Sequence, residues 1–274
     1  MRHIKTANSL ILLAMIGVAS TTSAFAQKTG VPTLSPAEQV LEASGRQGRY
    51  TFLVFHKTDD AAKQAMVAAV KKGIADKGGD ASVAFVSILS PVEKKLVDKL
   101  GISRAPMPLC VAFAPNGAVT SLYRKSPSST EVAKAFVTPT MTRCMKAMQD
   151  NKIVLVCVQN ASQTPLPTAV KEFQADPDFK NRIATVMFDP QDPAEGDFLK
   201  QLSLDAANSQ NIATVMLAPP GVLVGKYKAD ATQTQIASEL HAAGKCCDDP
   251  NCKHHKHTHT KAPATTQKSP ATRR

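Results

Sequence analysis

The chain has no tryptophan and only three tyrosines in 274 residues. That scarcity tells against a folded nucleic-acid surface, which needs basic side chains interleaved with aromatic rings on one face. The formal net charge of +11 does not fill the gap, because it is unevenly placed. Residues 245–274 hold seven Lys and Arg against Asp248 and Asp249, whereas residues 27–244 hold 24 against 20. The basicity belongs to the tail. No apolar run approaches the roughly 20 residues a membrane-spanning helix needs. A hydrolase triad, a phosphate loop and a paired-carboxylate site are also missing, so no catalytic constellation points to an enzyme.

What is present begins with an export signal. Arg2, His3 and Lys5 precede a short apolar run at residues 10–18, and Ala24-Phe25-Ala26 supplies a small-x-small cleavage site before Gln27. Residues 1–26 read as a secretory signal peptide. Gln27 rather than cysteine follows the site, which argues against a lipid anchor. The expectation is a soluble periplasmic or secreted protein, with about 248 residues left for two domains of ordinary size.

Ser35-Pro36-Ala37-Glu38 is a capping box with proline at the first helical position, opening a short helix to about Ser44. Residues 51–55 read as a buried strand. Asp59 and Asp60 then start a helix whose stripe is Ala62, Met66, Ala69, Val70 and Ile74 and which ends at Lys77-Gly78-Gly79. Residues 82–89 form the next strand, Ser90-Pro91-Val92-Glu93 caps a second helix, and Gly101 closes it. Next come Ala105-Pro106-Met107-Pro108, a buried strand at residues 109–113 and a Pro115-Asn116-Gly117 turn into residues 119–123. Ser128-Ser129-Thr130-Glu131 caps a last helix through Phe136. Proline cannot donate to a strand ladder, so Pro108 must stand at the strand's first position, and a cis Met107-Pro108 bond suits it.

The series then repeats. Thr138-Pro139 follows Ser35-Pro36 at an offset of 103, and residues 153–158 and 184–188 match the first two strands at about 102. Asp192-Pro193-Ala194-Glu195 matches Ser90-Pro91-Val92-Glu93 at 102. Ala218-Pro219-Pro220-Gly221 matches Ala114-Pro115-Asn116-Gly117 at 104, as Thr232 to Gln235 matches Ser128 to Glu131. A duplicated βαβαββα unit follows, with copies at residues 27–137 and 138–244. The alternative is one continuous α/β domain of another topology.

The proline pair, buried strand and Pro-Asn-Gly hairpin resemble the thioredoxin-like fold, in which a cis-proline loop opens the second half. The resemblance implies an α/β protein of two tandem thioredoxin-like domains, each a central mixed sheet flanked by helices. It also implies a Cys-x-x-Cys pair where the first strand enters its helix, because the helix N-terminus lowers a thiol's pKa. Here that junction reads His56-Lys57-Thr58-Asp59-Asp60 in the first copy and Gln159-Asn160-Ala161-Ser162-Gln163 in the second. The second copy also has Asn211-Ile212 in place of Met107-Pro108. The chain is therefore similar to the non-catalytic domains of protein disulfide isomerases, which implies a protein or peptide client rather than disulfide exchange.

Cys110 and Cys157 fall in central strands and Cys144 on the helix leading into the second copy. Buried free cysteine behaves as a small hydrophobe. An exported chain permits disulfides, and Cys144 with Cys157 is the candidate pair. Met141, Cys144, Met145 and Met148 share one helical face, a composition that could suit copper(I) but is read as an ordinary core stripe packed on the sheet. His56 at a strand end is read as meeting solvent, and His241 as suiting the negative end of the last helix.

Residues 245–274 read as a disordered basic tail that cannot build a core. Cys246, Cys247, Cys252, His254, His255, His257 and His259 lie within fourteen residues, a metal-ligand composition. Cys247-x4-Cys252 and His255-x3-His259 each match zinc spacing, but only two residues separate the pairs, too few for a finger. A flexible chelator of zinc, copper or nickel is the reading; a disulfide knot, or a basic tail touching anionic envelope polymers, are its rivals. The leading function is an exported, redox-inactive binding protein with this tail. A thiol-disulfide or metal-relay protein using other cysteines, and a structural envelope component, are the alternatives.

Overall fold

The computed structural model describes residues 34–159, 165–204 and 211–243. The signal sequence, the metal-ligand tail and part of the second junction lie outside them. In chain order the first copy comprises α1 (Pro36–Arg46), β1 (Tyr50–His56), α2 (Ala61–Lys77), β2 (Ala81–Ser87), α3 (Lys94–Lys99), β3 (Leu109–Phe113), β4 (Val119–Tyr123) and α4 (Ser129–Ala133). The second comprises α5 (Pro139–Gln149), β5 (Ile153–Val158), α6 (Thr168–Ala175), β6 (Ile183–Phe188), α7 (Gly196–Gln201), β7 (Thr214–Ala218), β8 (Val222–Tyr227) and α8 (Gln233–Ala242).

Two separate four-stranded sheets result, ordered β2-β1-β3-β4 and β6-β5-β7-β8. In each, the first two strands are parallel and the later pairings antiparallel. The sheets explain why the central strands are apolar without alternation, since each is covered on both faces. Phe52 and Val54 of β1 meet Met66 and Val70 of α2 and Val132 of α4. Leu53 and Phe55 meet Ala37 of α1 and Leu96 and Val97 of α3. In the second copy Val154 and Val156 face Cys144 and Phe198, while Leu155 and Cys157 face Phe173, Ile236 and Leu240. α2 and α4 approach closely because residue 73 is glycine: a Cβ there would sit 2.5 Å from Val132 Cβ.

The capping boxes at Ser35, Ser128 and Thr232 form as residues of that type dictate. Ser90 does not follow. It makes no side-chain cap, and Pro91–Glu93 is a 3-10 turn. Glu93 instead turns inward, 5% exposed, and accepts the Ala37 N–H of α1 at 3.1 Å. Glu195 does the same in the second copy, accepting the Thr140 N–H of α5 at 2.8 Å. Both carboxylates meet the positive end of the leading helix, where the first amides lack helical partners. The expected final helix through Phe136 is also shorter, ending at Ala133.

The two copies touch through the first hairpin. Asn116 Oδ1 accepts the Ala118 N–H within the turn, and its Nδ2 donates to the Thr142 carbonyl of α5 at 2.9 Å. Gln149 of α5 accepts the Val119 N–H at 2.8 Å and donates to the Val119 carbonyl at 2.7 Å. An amide side chain thus pairs with edge strand β4 as another strand would.

Candidate functional site

The end of the first sheet that carries Pro108 is assembled from β1, β2 and the loop before β3. Phe55 pairs with Leu109 and His56 with Ser87, so the register continues to set Pro108 beside His56. The Met107–Pro108 bond is cis. The Ile88 N–H donates to the His56 carbonyl at 3.0 Å. His56 does not simply meet solvent: it is half-buried, and its Nδ1 is buried without a hydrogen-bond partner. Just beyond β2, Leu89 is 69% and Val92 63% exposed, which leaves apolar surface at this same end.

The mouth of α2 opens here and is filled by carboxylates. Asp60 is the N-cap, accepting the Lys63 N–H at 2.9 Å and the Thr58 hydroxyl at 2.7 Å. The Thr58 hydroxyl first, and then the Lys63 amide, hold its carboxyl below the usual range. Asp59 pairs with Lys63 at 3.2 Å, and the Lys63 ammonium lies 5.1 Å from the centre of the Phe85 ring. The positive helix end that would activate a thiol is occupied by an anion. In the second copy Gln159 takes the place of His56; it is buried, and its Nε2 donates to the Pro165 carbonyl at 3.3 Å. Ile212, at the position of Pro108, packs against the cluster of Val156 and Val215.

No described cysteine reaches either mouth. Cys110, Cys144 and Cys157 are free and buried, and burial pushes each thiol up to about 12. The candidate Cys144–Cys157 pair is not made. Cys144 packs with Val154 and Val156 on one face of β5, whereas Cys157 packs with Leu155 and Phe173 on the other. Nearness in sequence placed them in adjacent elements, and the pleat put the sheet between them. Cys144 is core rather than part of a soft-metal face: Met141 and Met148 pack against the same cluster. Among the described residues no group of three or more His, Cys, Asp or Glu is placed to hold a metal ion. No helix among them is long and apolar enough to cross a membrane.

Two features escaped the sequence reading. The apolar exposure of Leu89 and Val92 has no local signal. Glu93 and Glu195 did have one, since a Ser/Asp-Pro-x-Glu stretch recurs at one spacing, but it resembled an ordinary cap.

Neither a protein-family model nor a curated protein matches the sequence. Solved structures similar to the chain include a putative oxidoreductase with a thioredoxin fold, 15% identical, covering 36% of this chain and 84% of that one at a TM-score of 0.29. A disulphide isomerase from Xylella fastidiosa Temecula1 is 16% identical over 35% of this chain and 82% of its own, with a TM-score of 0.28. The zinc-bound form of human ERp44 is 10% identical, covering 77% of this chain and 60% of its own, with a TM-score of 0.32. These likenesses concern fold alone, and strand order within the chain itself carries the assignment. Two sheets of order β2-β1-β3-β4 and β6-β5-β7-β8, each with helices on both faces and the first with a cis-proline before its third strand, make the chain a tandem of two thioredoxin-like domains.

Proposed function

We propose that this is an exported, redox-inactive binding protein that holds a protein or peptide client at the Pro108 end of the first copy. The observation that carries this reading is the occupied helix mouth. Asp60 caps α2 where a reactive thiol would stand, and a second carboxylate, Asp59, lies beside it. A thiolate formed there would meet like charge, which raises its pKa. The unpartnered Nδ1 of His56 and the exposed Leu89 and Val92 offer a polar and an apolar contact to an extended segment. Export rests on the signal-like first 26 residues, and metal capture by zinc, copper or nickel on the Cys/His composition of residues 246–259.

The direct test is insulin-disulfide reduction by the purified protein, where no turnover is expected. Turnover abolished by Cys110→Ser would overturn the reading. Client binding is tested by fluorescence anisotropy with a labelled apolar peptide: Leu89→Asp with Val92→Asp should weaken it about tenfold or more, and an unchanged affinity would move the site elsewhere. Calorimetric zinc titration of the full chain and of a chain ending at residue 244 separates the tail from the scaffold. Equal heats would remove the metal proposal.

A further inference from the structure

β2 is an edge strand: it pairs with β1 on one side, and no described strand pairs with it on the other. Just past its end the Ile88 N–H faces β1 and donates to the His56 carbonyl. Backbone groups alternate in direction along a strand, so Val83 and Phe85 turn both N–H and C=O away from β1. Among the described residues nothing takes those outward groups. The strand, Ala81-Ser82-Val83-Ala84-Phe85-Val86-Ser87, holds no charge, proline or glycine, so it lacks the residues that ordinarily keep an edge from pairing.

The second copy closes the matching position. Met187 stands opposite Cys157 in β6 as Phe85 stands opposite Val54 in β2, and the outward Met187 carbonyl accepts from the Arg143 guanidinium at 3.2 Å. Arg143 is steadied by the Thr140 hydroxyl at 2.9 Å. Ala37 and Thr140 are the amides held by Glu93 and Glu195; three positions beyond them, α5 carries Arg143 where α1 carries the half-buried Val40. The guard of β6 is therefore missing from β2. Phe85 also stays 48% exposed, with the Lys63 ammonium over its ring. The bare edge runs directly into the exposed Leu89 and Val92, and one extended segment of about eight residues, at about 3.3 Å each, spans both.

We propose that the client joins the first sheet as an added strand along β2: its backbone takes the outward groups of Val83 and Phe85, and its side chains lie on Phe85, Leu89 and Val92. The inference rests on the client reading above and names the chemistry that site selects. The segment is extended and uncharged, favours β-branched residues, and carries no proline where its N–H must donate.

The test is fluorescence anisotropy on the full exported chain with a labelled peptide of about eight alternating valine and threonine residues. In an added strand every second N–H bonds β2. Methylating those peptide nitrogens one at a time should weaken binding about fivefold each, while methylating the alternate set leaves it unchanged. Val40→Arg, which transplants the guard of the second copy, should also weaken it about fivefold. Val83→Pro removes an outward donor that the β1 pairing does not use and should act alike, with circular dichroism reporting the fold; should that variant unfold, the methylation scan and Val40→Arg decide. Binding that Leu89→Asp with Val92→Asp weakens, but that responds equally to methylation at every position, would overturn the added strand and leave the client reading standing. Absence of binding by any peptide would remove both. Dimerisation of the chain in sedimentation, abolished by Val40→Arg, would give the edge to a second copy and overturn the proposal.

Discussion

Replacing Glu93 by alanine removes a buried carboxylate that holds the first turn of α1 to the body of the first copy. One oxygen accepts the Ala37 N–H, and Oε2 has no partner. A hydrogen bond to a charged group contributes about 1.5–3 kcal/mol, and its loss leaves the buried Ala37 amide unsatisfied. The field of the helix N-terminus adds up to about 2 kcal/mol for a partly buried anion. Against these stands the cost of burying a carboxylate oxygen that bonds nothing, which the substitution relieves. The net expectation is a loss of about 2 kcal/mol for Glu93→Ala. Glu93→Gln, which keeps an acceptor but forfeits the charge, should lose about 1 kcal/mol. Urea denaturation reads this as a lower midpoint at unchanged slope, and hydrogen exchange as faster exchange of the Ala37 amide. Glu195→Ala should act alike on the Thr140 amide. The two losses should add, since the residues lie in different copies and share no partner. A Glu93→Ala midpoint within about 0.5 kcal/mol of the parent, with Ala37 still protected, would refute the reasoning.

Three further outcomes follow from the packing. Each thiol stands at about 12 against an ordinary 9.0, so the folded chain holds protons that the unfolded chain releases. That contribution is whole below pH 9 and drains away toward pH 12, by about 1.4 kcal/mol per thiol per pH unit, so the urea midpoint should fall steeply over that window and less steeply in Cys110→Ala. Gly73→Ala drives a methyl into Val132 and should cost about 1–3 kcal/mol by thermal melting, whereas Gly73→Ala combined with Val132→Ala should recover part of the loss. Asn116→Ala with Gln149→Ala removes the three side-chain hydrogen bonds described between the hairpin and α5, and calorimetric unfolding should separate toward two transitions.

The duplication was legible because its landmarks are local. A Ser or Thr followed by proline and a later acidic or amide residue caps a helix by contacts within four residues, and Gly78 adopts its left-handed cap with φ 65° wherever the helix lies. The central strands were legible because both faces are covered, which leaves an unbroken apolar run such as residues 153–158. The Asp-rich mouth of α2 could be read as hostile to a thiolate from composition alone.

Long-range contact decided the rest. Ser90-Pro91-Val92-Glu93 carries every local mark of a cap, yet Glu93 serves a helix 56 residues away, because the unpaired amide of Ala37 is buried and offers the stronger partner. Cys144 and Cys157 are thirteen positions apart, and only the pleat of β5 shows that a sheet separates them. His56 and Pro108 become neighbours through the β1–β3 register, and a cleft beside α1 and α3 gains one of its walls from the end of α5 in the second copy. Backbone capping and burial periodicity are properties of a few consecutive residues, so the sequence by itself determined the repeated unit. Which charges remain unpaired, and which surfaces remain uncovered, depends on segments brought together from distant parts of the chain, and that only the tertiary structure decided.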